Sequence, residues 1–226
     1  MREVVLDIET TGLNYNKGDR IIEVACVELI NHVMTEKKIQ FYCSTTKKIT
    51  EEASNIHGLT NKFLDKFPKF IEQIKGFLSF IKNDTLIIHN AEFDLGFINN
   101  ELKLSGYDLL KNKTIDTVLL SRKVLNTRIA NLDYLCRRFS IDLSKRNQHG
   151  ALLDCQLLAK VYLELLGGQQ TSLNLNKQDE NKKQQTKTQN IRSRNIHQIQ
   201  ITQEEKNLHK ELVNKIKNPL WQKINY

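Results

Sequence analysis

The first forty residues alternate between apolar and polar in short stretches; later segments fall into helical spacing. Val4–Glu9, Ile21–Ile30 and Lys38–Cys43 are rich in β-branched and aromatic residues and predict three strands in succession, a meander. Pro68–Ile81 carries an amphipathic helical stripe with proline at its start. Thr85–His89 predicts a short buried strand running straight into a helix near Glu92–Leu104, and Thr114–Asp116 a further short strand. Helices are expected over Asn131–Phe139 and about Gly150–Leu166. Strands first, then strands alternating with helices, describe an α/β domain with a mixed sheet covered by helices. The chain has no internal repeat.

Apolar periodicity runs to Leu166, where Gly167-Gly168 ends a helix, so 1–168 reads as one domain. Within 169–201 the stretch 176–190, NKQDENKKQQTKTQN, holds no aliphatic or aromatic residue. It cannot bury enough surface to offset its ordering entropy and reads as a flexible linker. Order is expected to return at Thr202, an N-cap followed by Glu204 and Glu205 in a first turn. Leu208, Leu212 and Ile216 then repeat at every fourth position, and Pro219-Leu220-Trp221 follows. One short helix cannot bury its own apolar stripe. The segment 202–226 therefore reads as a docking peptide for a partner, or as a helix folded back on the main domain.

At 226 residues the chain has room for one substantial core and an appendage. A composition 39% hydrophobic and 27% charged excludes collagen-like and wholly disordered classes. No apolar run approaches the roughly 20 residues of a membrane helix. Met1-Arg2-Glu3-Val4-Val5-Leu6-Asp7 places acids where a signal peptide needs its apolar stretch. Cys26, Cys43, Cys136 and Cys155 show no paired spacing, which suits buried thiols in a reducing cytoplasm. The net charge of +8 is uneven. Residues 1–168 carry a surplus of +2 and residues 169–226 a surplus of +6, so the basicity informs on the tail rather than on a site in the domain.

Acids stand where a core is expected. In Val4-Val5-Leu6-Asp7-Ile8-Glu9, Asp7 and Glu9 share the face of Val5, and Leu6 and Ile8 occupy the other. A strand apolar on both faces is normally central. Two adjacent carboxylates there either mark a strand end emerging into solvent or require a compensating cation. Asp94, in His89-Asn90-Ala91-Glu92-Phe93-Asp94, falls in a first helical turn on the face of Phe97 and Ile98; helix-dipole chemistry alone could place it. Asp154 heads the stripe of Leu158, Val161 and Leu165, a position periodicity would give to leucine. His149 falls on the loop before that helix, free to swing over the acids. Four carboxylates without a cysteine favour Mg²⁺ or Mn²⁺ over Zn²⁺. They can hold two divalent ions about 4 Å apart, an arrangement suited to phosphodiester cleavage, with His149 as general base.

LDIETTGL, HNAEFDLGF and HGALLD, in this order, resemble the three motifs of the DEDDh 3′–5′ exonucleases. Within that group residues 3–168 are similar to the proofreading (epsilon) subunits of bacterial DNA polymerase III. The resemblance implies a ribonuclease-H-like fold with a five-stranded mixed sheet, a flexible C-terminal tail, and Asp7, Glu9, Asp94 and Asp154 as ligands of two Mg²⁺ or Mn²⁺ ions. It implies His149 as the base and the removal of mispaired 3′-terminal nucleotides from DNA as nucleoside 5′-monophosphates. Glu52-Ala53-Ser54-Asn55-Ile56-His57-Gly58-Leu59 resembles the stretch that contacts the terminal nucleotide, which points to Glu52 and His57. Thr10 and Thr11 would lie near the same nucleotide, as would Asp7, Glu9 and Asp154. Gln170-Thr171-Ser172-Leu173-Asn174-Leu175 resembles a sliding-clamp-binding peptide through Gln170, Leu173 and Leu175, with Leu175 where Phe is usual. The resemblance further implies the polymerase (alpha) subunit as partner of 202–226, and admits a small third core subunit.

Two other functions fit parts of the chain. An RNA-trimming exonuclease of the same superfamily would use identical core chemistry, but has little need of a linker, a clamp-like peptide and a docking helix. A non-catalytic subunit bridging clamp and polymerase would gain nothing from clustered carboxylates.

Overall fold

The computed structural model describes residues 1–144, 146, 148–167 and 202–215. Most of the linker and tail expected over 169–226, including Gln170, Leu173, Leu175 and Ile216, lies outside these residues. The chain falls into two units, with 1–167 in the first and 202–215 in the second.

In chain order the elements are β1 (Arg2–Thr10), a 3₁₀ turn (Tyr15–Lys17), β2 (Ile21–Ile30), β3 (Val33–Tyr42), α1 (Glu51–His57), α2 (Asn61–Leu64), α3 (Phe70–Ile81), β4 (Thr85–Ile88), α4 (Ala91–Leu104), β5 (Thr114–Asp116), α5 (Thr117–Leu125), α6 (Leu132–Arg138), α7 (Ala151–Leu165) and α8 (Gln203–Lys215). The sheet order is β3-β2-β1-β4-β5. The β1–β2 and β2–β3 pairs are antiparallel, the meander; β1–β4 and β4–β5 are parallel, with α4 crossing from β4 to β5 and the chain from β1 to β4 running through β2, β3 and α1–α3. β1 is central, as its double apolar face requires.

β3 begins at Val33, five residues before the expected start. Its side chains there are mostly exposed, so the edge position hides the strand from a search for buried alternation. Pro68 precedes the N-cap Lys69 of α3 rather than opening the helix. The stretch around Glu52 is helical, because Thr50 caps it by accepting the Ala53 N–H and Gly58 closes it at φ +72°. α5 is likewise an unexpected helix: only Thr117 and Ser121 are buried in it, too little for an apolar stripe.

Two cores flank the sheet. Val4, Leu6 and Ile8 of β1 pack with Ile74, Phe77 and Ile81 of α3 and Phe97, Ile98 and Leu102 of α4. Val5 packs on the opposite side with Leu135 of α6 and with Cys155, Leu158 and Val161 of α7. Full burial of each such aliphatic side chain contributes about 1.5–3 kcal/mol. α7 turns Ala151, Cys155 and Ala159, spaced by four, into this core, and the Cys155 thiol donates to the Ala25 carbonyl at 3.3 Å. Small side chains thus hold the helix close to β1 and β2. All four cysteines are buried free thiols. No helix among the described residues is long and apolar enough to cross a membrane.

Candidate active site

The parallel arrangement brings the end of β1, the start of α4 and the start of α7 to one edge of the sheet. Asp7 and Glu9 reach it from β1, on the α7 side. A register shift between Glu9 and Thr10, opposite Glu23 and Ile21, bends the strand as the carboxylates emerge. Asp94 enters from the first turn of α4 and Asp154 from that of α7; both are buried. His149 lies on the loop before α7, its side chain 45% exposed. One ligand atom each from Glu9, His149 and Asp154 lie within 4.8 Å of one another, a grouping that could hold a metal ion.

Neither acid-bearing helix caps itself. The Asn90 N-cap of α4 is left-handed, with φ 72°, and makes no side-chain cap. Instead Asp116, at the end of β5, accepts the N–H groups of Asn90 (3.3 Å) and Ala91 (3.1 Å) and also caps α5. At α7 the N-cap is Gly150, without a side-chain cap, and the Ala151 backbone lies close enough to Glu23 on β2 to favour that carboxylate's charged form. The borrowed Asp116 cap is worth about 1 kcal/mol and fixes where Asp94 stands.

The electrostatics show a deficit of positive charge. Burial, then the charges of Asp94, Glu9, Asp154 and Glu23, hold the Asp7 carboxyl well above its ordinary range. Glu9 is pushed up to about 8 by burial, Glu23 and Asp154, with Arg146 opposing. Asp94 is raised by burial, although the backbone amides of Asp94 and Ile8 favour its anion. Such crowding is sustained where a cation belongs. At Asp154 a cationic group is in fact present. Arg146 donates to both carboxylate oxygens, Nε to Oδ1 and Nη2 to Oδ2, each at 2.7 Å. His149 is shifted down by burial and by Arg146, so its ring favours the neutral form.

The cleft has two lobes. One, of about 390 Å³, is lined by Asp7, His89, Asp133, Arg146, His149 and Asp154. The other, of about 510 Å³, is lined by Glu9, Thr10, Glu52, His57, Phe93 and His149. His149 borders both. Glu52 is exposed; His57 is buried, its Nδ1 accepting the Leu59 N–H at 3.0 Å. The His57 Nε2 is buried without a hydrogen bond of good geometry, though the Thr10 backbone is close enough to favour the charged ring. The Thr10 hydroxyl donates to the Gly12 carbonyl at 2.6 Å. Thr11 is turned inward, donating to Asp19 and accepting the Arg20 N–H, so it shapes the loop and does not line the cleft. The His149 N–H donates to the Ile56 carbonyl at 3.0 Å, tying the base-bearing loop to α1.

The structure brings together the four acids and the histidine singled out in the sequence, and adds Arg146, Asp133, Glu23, His89 and Asp116 around them. His89, beside the Asp94 motif, offered a local signal. Glu23 and Asp116 act on segments distant in the chain, whereas Arg146 meets His149, Asp154 and Asp133 within thirteen residues, across an irregular loop.

Comparison with known proteins bears on the same cleft. The family model of the RNase T exonucleases matches residues 4–162. The chain is 41% identical to the DNA polymerase III subunit epsilon of Rickettsia prowazekii, over 96% of this chain and 97% of that protein. It is 40% identical to that of Escherichia coli K12, over 74% and 72%. Among solved structures, the nuclease domain of 3′hExo, a DEDDh family member bound to rAMP, is similar at TM-score 0.65 and 18% identity, over 73% of this chain and 91% of that one. Exonuclease X in complex with 5′-overhanging duplex DNA is similar at TM-score 0.58 and 20% identity, over 73% and 90%. These two likenesses show the fold, the ribonuclease-H-like sheet expected from the motifs. The chain belongs to the RNase T exonuclease family, as a 3′–5′ exonuclease of the DNA polymerase III epsilon group.

Proposed function

We propose that this chain removes mispaired 3′-terminal nucleotides from DNA as the proofreading exonuclease of a replicative polymerase, releasing nucleoside 5′-monophosphates. The observation that carries the reading is the convergence of Asp7, Glu9, Asp94 and Asp154, from three elements, beside a neutral histidine at the rim of an open cleft.

The donor set fits divalent cations. It is rich in carboxylate oxygen and free of thiolate, its carboxyls are raised for want of positive charge, and a guanidinium stands on Asp154 where a cation would. Asp7, Glu9, Asp94 and Asp154 would hold two ions, Mg²⁺ or Mn²⁺ by the hardness of these ligands. Bound there, the metals supply Lewis-acid stabilisation of the attacking and leaving oxygens. The protein's own groups do the rest. His149 takes the proton of the attacking water through a ring nitrogen, since burial keeps the imidazole unprotonated near neutral pH. Thr10, Glu52 and His57 border the lobe that would receive the terminal nucleotide. Asp7, Glu9 and Asp154 would meet the same nucleotide from the metal side. A site that must take up an unpaired strand favours a frayed end over a paired one.

The domain assignment belongs to the same reading: nuclease over 1–168, linker over 169–201 with a clamp-binding peptide at 170–175, polymerase docking over 202–226. In its support, Leu208 and Leu212 of α8 are 66% and 61% exposed, and Thr202 and Glu205 form a reciprocal cap that starts the helix. The partners are the polymerase catalytic subunit, the sliding clamp and a small third core subunit, in the cytoplasm.

The test is digestion of a labelled, 3′-mismatched DNA primer with Mg²⁺, beside a matched primer and an RNA of the same sequence. Faster loss of the mismatched DNA end is expected. Strong preference for RNA would replace proofreading by RNA trimming.

A further inference from the structure

Arg146 has a place in this cleft that metal ligation by Asp154 does not explain. Its side chain is 6% exposed. Nε and Nη2 grip the two oxygens of Asp154, Nη1 donates to Asp133 Oδ1 at 2.5 Å, and Nη2 lies 3.1 Å from His149 Nδ1. Both Asp154 oxygens are engaged by a full positive charge. A divalent ion arriving at the same carboxylate meets a competitor for the lone pairs and a like charge at close range.

The contact with His149 adds a second consequence. A guanidinium only donates hydrogen bonds, so in the tautomer with a bare Nδ1 that nitrogen presents its lone pair to Nη2; Asp154 Oδ2, 3.4 Å from Nδ1, would accept the proton of the other tautomer. A neutral imidazole has one such lone pair, and its other nitrogen then carries the proton. In the first of these tautomers, while Arg146 sits on Asp154, His149 has no lone pair left with which to accept a proton from water. Asp133 offers the guanidinium a retreat. It is 44% exposed, lies on α6 at the rim of the cavity, and already holds Nη1.

We propose that Arg146 is a displaceable counter-ion that occupies Asp154 in the metal-free protein and withdraws onto Asp133 as the ion loads, so that filling the site and freeing His149 are one event. Arg146 is in this sense a positioning residue: it sets the state of the base and the ligand without touching substrate. The inference rests on the reading of Asp154 as a metal ligand.

The experiment uses the full chain without DNA. Mn²⁺ binding is followed by the electron paramagnetic resonance of the free ion. In Arg146→Gln the first Mn²⁺ should bind roughly tenfold more tightly, the scale set by one lost charge-assisted pair. Arg146→Lys keeps the charge but cannot bridge both oxygens, and should tighten binding by a smaller factor. Unchanged or weaker binding in both overturns the inference. The Nε–Hε proton signal of Arg146, identified by its absence in the variants, should be slow to exchange in the metal-free wild type and should shift and exchange faster at saturating Mg²⁺. A signal unmoved at saturation also overturns it, and this measurement decides even where Arg146→Gln does not fold. The two readings separate at Asp154→Asn. Mn²⁺ binding that survives this change removes the ligand assignment and the inference together; binding that needs Asp154 but ignores Arg146 removes the inference alone.

Discussion

One face of β1 carries a carboxylate near each end, and the two ends are treated in opposite ways. Glu3, 1% exposed, accepts the Tyr162 hydroxyl at 2.9 Å, and His32 Nδ1 lies 2.8 Å from its other oxygen. The Tyr162 hydroxyl answers one oxygen of that carboxylate; the His32 contact at the other lacks hydrogen-bond geometry, and both of its atoms are buried. Asp7 and Glu9, four and six residues further on, have no such partners among the described residues and face Asp94, Asp154 and Glu23 instead. A buried acid supplied with donors is structural; buried acids gathered without them hold a place for something else. Val4, Leu6 and Ile8, on the opposite face, are plain core along the whole strand, so the contrast arises from side-chain partners rather than from strand position.

The contrast can be broken most strongly at the active end. Asp7→Ala should lower Mg²⁺-dependent hydrolysis of a mismatched primer by on the order of 10³-fold or more. In metal-free protein the same change should leave the urea midpoint unchanged or raise it, because it removes repulsion. A large loss of metal-free stability would show that Asp7 is a structural acid like Glu3. The opposite result is expected from Glu3→Ala. It strands the Tyr162 hydroxyl in the core and should cost about 1–3 kcal/mol in urea unfolding, with turnover of the folded fraction little changed. Asp116→Ala removes the donated caps of α4 and α5; a loss of about 1–2 kcal/mol is expected, with reduced turnover because Asp94 loses its anchorage. Unaltered turnover would mean that α4 holds its first turn without help.

The smallest effect is in pH. The Glu9 carboxyl lies at about 8 in the folded, metal-free chain against an ordinary 4.5. Between these values the folded chain holds a proton that the unfolded chain has released, so falling pH favours folding. The melting temperature of the metal-free protein should therefore rise by a few degrees as pH falls from 8 towards 4.5, with no further gain from Glu9 below that. Saturating Mg²⁺ should flatten the profile, since the ion supplies the charge that protonation would otherwise remove. A metal-free profile that falls with acidification over this window would contradict the arrangement of acids described here.

Within one element, local spacing was enough. Alternation along Val4–Glu9 put Asp7 and Glu9 on one face, and the run Asp154, Leu158, Val161, Leu165 put an acid at a buried helical position, because a strand repeats every two residues and a helix every 3.6. The motif order then identified the family and the domain. What spacing could not carry is which side chains meet across turns and between segments: Glu23 beside the start of α7, Asp116 holding the start of α4, Arg146 bridging Asp133, His149 and Asp154 across the loop before α7. α1 and α5 were also beyond it, since caps start them and little apolar surface marks them. Periodicity records which side of an element is dry. Which charge meets which is settled only when the sheet has brought the ends of β1, α4 and α7 together.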